Sequence, residues 1–484
     1  MKVTFLIPPV LDGTHNVDRC FGCNYGIYFL PLLPVLYSAT LLKNVADAVS
    51  IEDFAARRKK ASDFKDFIRN DESDIYIFYT VFLSQNTDLL ARKFIREVKP
   101  GALFIFSGPQ ATFSPEVFLD RSDTFVIRGE PEFIIRELIQ RLKTGADLKE
   151  NKGISYRKGS EVIHNFASSY ILDIDQVPIP DRSLLDHTAY FNPKLHNLPH
   201  TAALTSRGCF GQCWYCVPNS LSYARELEYK KQYGIKPPPR LHSIERVKEE
   251  FRNIKESGFK SVSIIDDEFI WDEERTVKIC DCLSELKLEW SCLSRPDTIS
   301  ENVAKAMAKA GCAYVDLGTE SFDQEILNAI KKNALVEDTK KAVRILKKYG
   351  VKPEINVLLG ATSLETEETI KKTLREVRKL DVDYVLFSIA NPFPGTDFYE
   401  AAKKNGWLVY GEYRPADPAR ESIISYPHLS KKKLEYYVSY AYFSHYFNLR
   451  YIIKQLFSTK SCRDFKNKFF TAARLIRRNF LKKA

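Results

Sequence analysis

Three of the ten cysteines fall within eight residues, in Thr205-Ser206-Arg207-Gly208-Cys209-Phe210-Gly211-Gln212-Cys213-Trp214-Tyr215-Cys216. The spacing is C-x3-C-x2-C, with an aromatic residue directly ahead of the last cysteine. Three thiolates from one loop can ligate three irons of a cubane 4Fe–4S cluster, which leaves the fourth iron open to an exogenous chelator. Gly208 and Gly211 let the backbone wrap closely around such a core. A tetrahedral zinc site would need a fourth Cys or His, and the next histidine is His242, beyond Pro237-Pro238-Pro239. Chance clustering of buried thiols is the other alternative. The remaining cysteines are too sparse for a disulfide framework and suit a reducing compartment. Cys20 and Cys23 form a second short-spaced pair that could bind metal or act in redox chemistry, or be incidental.

The elements around the cysteines must position them. Over residues 1–145, apolar strand patterns at 3–8, around Ile51, and at 74–79, 102–106 and 124–127 alternate with helical patterns such as 89–98 and 132–142. That alternation predicts a doubly wound, mostly parallel sheet whose ligand loops lie at the carboxyl ends of its strands. Residues 146–198 read as an irregular linker ending in Val177-Pro178-Ile179-Pro180-Asp181-Arg182. Residues 199–410 resume the alternation, with strands at 202–205, 261–265, 289–292, 313–317, 354–359 and 384–389. Helical patterns at 244–255, 273–286, 301–310, 339–349 and 367–380 separate them. Six βα units predict an open partial barrel with its chemistry at the carboxyl ends of the strands. The cysteine loop follows the first of them.

Charge is unevenly placed. Of the 72 Lys and Arg, 14 lie in residues 431–484 against two acids, so that tail carries +12 and the rest of the chain −2. Residues 411–484 read as helical, with aromatics at three- and four-residue spacing among the cations. A basic amphipathic helix can lie on an anionic membrane surface; it can equally pack on the barrel with its charged face in water. The uncharged stretch 25–42 is nearly long enough to span a bilayer, but Pro31 and Pro34 suit the first turn of a core helix better. Met1-Lys2 leads directly into strand pattern, and the expectation is a protein without a secretory signal, working in the cytoplasm.

With the cysteine motif, later segments carry a resemblance to the radical S-adenosylmethionine (SAM) superfamily. Ile264-Ile265-Asp266-Asp267-Glu268-Phe269 resembles the acidic turn after the second barrel strand, although an Asx-rich turn without a ligand would read the same. Ser294-Arg295-Pro296-Asp297, Gly318-Thr319-Glu320-Ser321 and Asn391-Pro392-Phe393-Pro394-Gly395-Thr396 stand at the expected strand ends. Leu359-Gly360-Ala361-Thr362-Ser363 departs from the family's Gly-x-Pro-Gly. The resemblance implies a 4Fe–4S cluster on Cys209, Cys213 and Cys216. It implies SAM contacts at Tyr215, Asp266, Asp267, Arg295, Glu320 and Ser321, and an external electron donor such as flavodoxin or ferredoxin.

Within the superfamily, Ser107-Gly108-Pro109-Gln110-Ala111-Thr112 with Pro115-Glu116, Arg128-Gly129-Glu130 and Pro178-x-Pro-Asp181-Arg182 are similar to a subclass with an amino-terminal cobalamin-binding domain. That subclass includes the anaerobic magnesium-protoporphyrin ester cyclases and hopanoid methylases. The implied cobalamin contacts are Gly108, Thr112, Gly129 and Glu130; no Asp-x-His-x-x-Gly is present, so no axial histidine is expected. A vestigial domain acting as a lid is the alternative. The implied fold is α/β: a Rossmann-like domain, an open (βα)6 partial TIM barrel and a helical C-terminal extension. The implied activity is methylation or carbon–carbon bond or ring formation on a lipid, isoprenoid or tetrapyrrole-like substrate, with peripheral membrane contact through 431–484. The alternative is a tRNA-modifying, methylthiolase-like enzyme; nucleic acid is not expected, because only Cys20 and Cys23 precede the barrel and the tail reads helical.

Overall fold

The computed structural model describes residues 1–168, 171–448, 451 and 453. The amino-terminal sheet runs in the order β2-β1-β3-β4-β5-β6-β7. Its strands are β1 (Lys2–Ile7), β2 (Ala48–Asp53), β3 (Ile75–Tyr79), β4 (Leu103–Ser107), β5 (Thr124–Ile127), β6 (Ile154–Lys158) and β7 (Glu161–His164). The first five are parallel, and their order reverses between β1 and β3, the position where doubly wound sheets bind ligands. Every residue of β3 and β5 is buried, as expected where helices cover both faces of a parallel sheet. One core cluster joins the sheet to helices Leu33–Leu42 and Glu132–Thr144; the opposite one joins it to Ala61–Asn70 and Gln85–Val98.

The second half of the uncharged stretch 25–42 forms helix Leu33–Leu42, a core helix with Pro34 in its first turn, while Pro31 lies ahead of its N-cap Leu32. Among the described residues no helix is long and apolar enough to cross a membrane. The sequence reading misses the antiparallel hairpin β6–β7, which lies inside the stretch read as irregular. Its strands are short and carry charge, and β6 is held by the edge of β5 rather than by a pattern of its own.

The second sheet has the order β15-β14-β13-β12-β11-β8. Its strands are β8 (His200–Ala203), β11 (Ser261–Ile264), β12 (Glu289–Ser294), β13 (Cys312–Glu320), β14 (Lys352–Leu359) and β15 (Tyr384–Ile389). Pairing is parallel at β8–β11, β11–β12 and β14–β15. The helices that follow β11, β12 and β14 begin on side-chain caps, Asp272, Ser300 and Thr366, which accept backbone N–H groups of the first turn. Between β8 and β11 stand elements that periodicity does not reveal: the two-stranded ribbon β9 (Ser206–Arg207) and β10 (Arg240–Leu241), and helix Ser220–Tyr233.

By compactness the chain divides into two units. The first holds residues 1–211, 216–316 and 345–352; the second holds 212–215, 317–344 and the described residues from 353 on. In the second unit, helix Lys431–Tyr446 covers the outer edge of β15. Tyr442 and Tyr446 hydroxyls donate to the carbonyls of Phe387 and Val385 at 2.9 and 2.7 Å and accept the same residues' N–H groups at 3.3 and 3.1 Å. Two side chains thus satisfy the unpaired rim of an edge strand. The basic segment 454–484 lies outside the described residues.

Candidate cluster and cofactor site

The cysteine loop leaves β9 and ends at Asn219, the N-cap of helix Ser220–Tyr233, whose side chain accepts Ser222 N–H at 3.1 Å. Within the first unit one carboxylate grips both ends of the loop. Asp267 accepts Gly208 N–H at 3.0 Å and Asn219 N–H at 2.6 Å. Gly208 has φ +90°, and a Cβ there would stand 3.3 Å from Pro239 Cα, so strain and close approach both favour glycine. Asp266 accepts Thr205 N–H at 2.7 Å and Ser206 Oγ–H at 2.9 Å, fixing the strand that leads into the loop. Burial pushes Asp266 up to about 7, against the pull of those hydrogen bonds.

Cys209, Cys213 and Cys216 are all partly exposed, and none is in a disulfide. Gly211 N–H donates to Cys209 Sγ at 3.3 Å. Burial pushes the Cys209 thiol up to about 11, against the Gly211 N–H and the Lys236 ammonium, which favour the thiolate that iron needs. Among the described residues no three His, Cys, Asp or Glu side chains gather as a single bound ion would require. Three partly exposed thiols on one braced, glycine-bearing loop have the donor chemistry that a cubane with one open iron would need.

Arg295 is buried, pairs with Asp297 through Nε–Oδ1 at 2.9 Å and Nη2–Oδ2 at 3.0 Å, and stacks over Phe210 at 5.5 Å. Its backbone N–H is held by Glu268 Oε2 at 2.9 Å. In the second unit Trp214 anchors its part of the loop. Its N–H donates to Ile330 O at 3.2 Å, its indole to Ala361 O at 2.9 Å, and its carbonyl accepts Phe398 N–H at 3.1 Å. Glu320 adopts φ +65° and meets the buried Lys332 Nζ at 3.2 Å. A Cβ on Gly318 would lie 2.7 Å from that ammonium, so a larger residue there would displace the lysine end. Ser321 stands 3.2 Å from Thr373 Oγ1 and accepts Asp323 N–H at 3.1 Å. Tyr215 is partly exposed in the same loop.

The four residues assigned to cobalamin fall at the carboxyl edge of the amino-terminal sheet. Gly108 has φ +94°, and a Cβ would meet Thr80 O at 2.8 Å. Thr112 donates to Gly108 O at 2.9 Å and accepts Gly129 N–H at 3.0 Å, tying the loops after β4 and β5 together. Glu130 is enclosed by Arg207 at 3.0 Å and by Arg240. Burial would raise this carboxyl, yet Arg240 and Arg207 hold it down at about 2. Arg207 also meets Glu132 at 2.8 Å, so the residue two before Cys209 is fixed by the amino-terminal sheet. Arg128 pairs with Glu228 of helix Ser220–Tyr233 at 3.0 Å. Residues 13–15 of the loop after β1 are exposed. The Cys20 thiol, by contrast, is buried and donates to the carbonyls of Leu30 and Pro31 at 3.7 and 3.5 Å, with its pKa raised by burial, a structural setting.

Sequence reasoning missed Trp214, Lys236, Lys332 and the Arg207–Arg240 pair. Trp214 and Arg207 sit inside the recognised motif; Lys236, Lys332 and Arg240 carry no spacing signal.

A braced three-thiol loop at the carboxyl end of a parallel strand is the arrangement that the resemblance to radical SAM proteins led us to expect. Residues 204–374 match the family described as the Radical SAM superfamily, and the chain carries a radical SAM domain. It is 29% identical over 94% of its length to an uncharacterized methyltransferase of Pyrococcus horikoshii, 95% of which is covered. It is 22% identical over 72% of its length to the anaerobic magnesium-protoporphyrin IX monomethyl ester cyclase of Cereibacter sphaeroides, spanning 56% of that protein. Among solved structures, the cobalamin-dependent SAM radical enzyme OxsB, with aqua-cobalamin and SAM bound, matches 99% of this chain and 72% of its own. The TM-score is 0.68 at 17% identity, a likeness of fold. The doubly wound sheet, the open six-stranded sheet and the helical C-terminal section agree with the expected fold class.

Proposed function

We propose that this protein is a cobalamin-dependent radical SAM enzyme that methylates, or forms a carbon–carbon bond or ring in, a small apolar substrate of lipid, isoprenoid or tetrapyrrole type. The observation that carries this reading is the three-cysteine loop at the head of the radical SAM domain, joined to a flavodoxin-order sheet. The similar methyltransferase and cyclase support both outcomes of the chemistry.

Cys209, Cys213 and Cys216 would hold the cluster. When bound, the cluster and SAM would supply reductive cleavage of the sulfonium as a source of radical chemistry, the electron coming from an external donor such as flavodoxin or ferredoxin. The chain's own residues hold the parts still. Asp267 fixes the loop ends, Asp266 the preceding strand, and Trp214 the middle of the loop. Arg295 offers a cation for the methionine carboxylate, with Asp297 orienting its plane. Glu320, held by Lys332, and Ser321 offer polar contacts for the ribose. Cobalamin would lie at the carboxyl edge of this sheet, beside the exposed residues 13–15, while the buried Gly108 and Gly129 shape the loops behind it, Gly108 by its close approach to Thr80 O. Thr112 and Glu130 would shape that edge, because their polar atoms are engaged within the protein.

Membrane contact is part of the proposal. Tyr436, Tyr440, Phe443 and Phe447 form an exposed stripe on helix Lys431–Tyr446 and its C-cap, 60% exposed at Tyr436 and 51% at Phe443, and the basic segment follows in sequence. Flotation with anionic liposomes should carry the full chain and not a chain ending at residue 430; equal flotation would remove this part. The tRNA reading gains no support from a leading-domain metal site, since Cys20 is engaged with backbone carbonyls.

The function is tested by incubating reduced, reconstituted enzyme with SAM and cobalamin. Formation of 5′-deoxyadenosine together with a base-off cobalamin spectrum supports the proposal. An intact, reducible cluster that yields no 5′-deoxyadenosine refutes it. Cleavage without any cobalamin binding would leave a radical SAM enzyme with a lid.

A further inference from the structure

Lys236 belongs to Ile235-Lys236-Pro237-Pro238-Pro239, after helix Ser220–Tyr233. Its Nζ donates to Gly211 O at 3.0 Å, a carbonyl between Cys209 and Cys213 in sequence. The side chain is only 13% exposed. Its nearest carboxylate oxygen, Glu226 Oε2, stands 3.8 Å away, and Glu226 also pairs with Lys230 at 2.8 Å. The same segment packs on the loop at Gly208 through Pro239, so the ammonium is carried on a stiff support against the cysteine loop.

A thiolate-ligated cluster is an anion, and one-electron reduction adds negative charge. Net charge near the cluster, hydrogen bonds to its sulfurs and exclusion of solvent set its potential. A cation buried against the loop is little screened by salt and favours the reduced form. The Gly211 N–H on Cys209 Sγ acts in the same direction.

We infer that Lys236 is a positioning and charge-tuning residue that makes the cluster on Cys209, Cys213 and Cys216 easier to reduce. The inference rests on the proposed cluster. No bond is made or broken; the electron comes from the external one-electron donor and stays on the cluster.

The test is a reductive titration with titanium(III) citrate, without SAM, followed by electron paramagnetic resonance on wild type, Lys236→Gln and Lys236→Arg. Glutamine keeps a donor for Gly211 O but no charge; arginine keeps the charge. Lys236→Gln should weaken reduction about tenfold, equivalent to about 59 mV for a one-electron couple, and Lys236→Arg should stay near wild type. A glutamine variant with the wild-type potential overturns the inference. If glutamine loses iron while its melting temperature is unchanged and arginine keeps iron, the charge is needed to hold the cluster, which supports it. Loss of iron in both variants overturns it, because side-chain shape rather than charge then matters. Absence of any 4Fe–4S signal in wild type defeats the proposed function instead.

Discussion

At the scale of single residues, Asp267 does for the loop what no cysteine can do. It holds residues eleven apart in sequence, Gly208 and Asn219, to one carboxylate. Asp267→Asn leaves one acceptor oxygen in place of two and puts an amide donor against a backbone N–H. A buried donor left unsatisfied costs about 1–3 kcal/mol, so the unfolding free energy obtained from thermal melting should fall by that amount and iron retention should drop with it. Glu130→Gln is expected to cost more, about 3–5 kcal/mol, because it leaves Arg240 buried without its carboxylate partner and Arg207 with Glu132 alone. With the Glu130 carboxyl held at about 2, its stabilisation is present above the ordinary carboxylate range and is lost as pH falls through about 2. Urea unfolding of wild type and variant at neutral pH measures the difference. The cysteines were legible because thiols at that spacing have few other uses. The partners of Asp266, Asp267 and Glu130 were not, because a carboxylate in a turn reads alike whether it meets a ligand or its own backbone.

At the scale of elements, the loop after β14 lacks the family's Gly-x-Pro-Gly, and Glu365 pins it instead. Gly360 N–H donates to Glu365 Oε2, and Tyr426 hydroxyl donates to Gly360 O at 2.9 Å. Burial raises Glu365 to about 8, above its unfolded value. The folded chain therefore holds this proton more tightly, and stability falls as pH rises from about 4.5 through about 8. Melting temperature followed over that window should decline in wild type, and the slope should be shallower in Glu365→Gln. A slope unchanged by the substitution would remove Glu365 from the account. All six barrel strands were legible as short apolar runs between amphipathic helices. Helix Ser220–Tyr233 was not: residues 220–228 are all buried, so no face-specific periodicity marks it. The described part of the basic tail was half legible. Its aromatics are real helical neighbours, but Tyr442 and Tyr446 cap β15 while Tyr436 and Phe443 face outward.

At the scale of the molecule, the proline-marked stretch after Val177 is less a break than the sequence implies. Arg182 pairs with Glu250 of the barrel helix Ile244–Glu256 at 2.7 Å, fully buried. Arg128–Glu228 and Glu130–Arg207 bind the amino-terminal sheet to elements on either side of the cysteine loop, all in one compact unit. Long-range ion pairs of this kind leave no periodic trace in a sequence, which is why fold class could be read from the chain and this joining could not. Through Arg207, the amino-terminal sheet supports the strand that delivers Cys209. The central claim remains that Cys209, Cys213 and Cys216 hold a 4Fe–4S cluster, and iron counting tests it most directly. Anaerobic reconstitution should give about four irons per wild-type chain and none in the folded Cys209→Ala, Cys213→Ala, Cys216→Ala triple variant. A triple variant that keeps its iron would contradict the account.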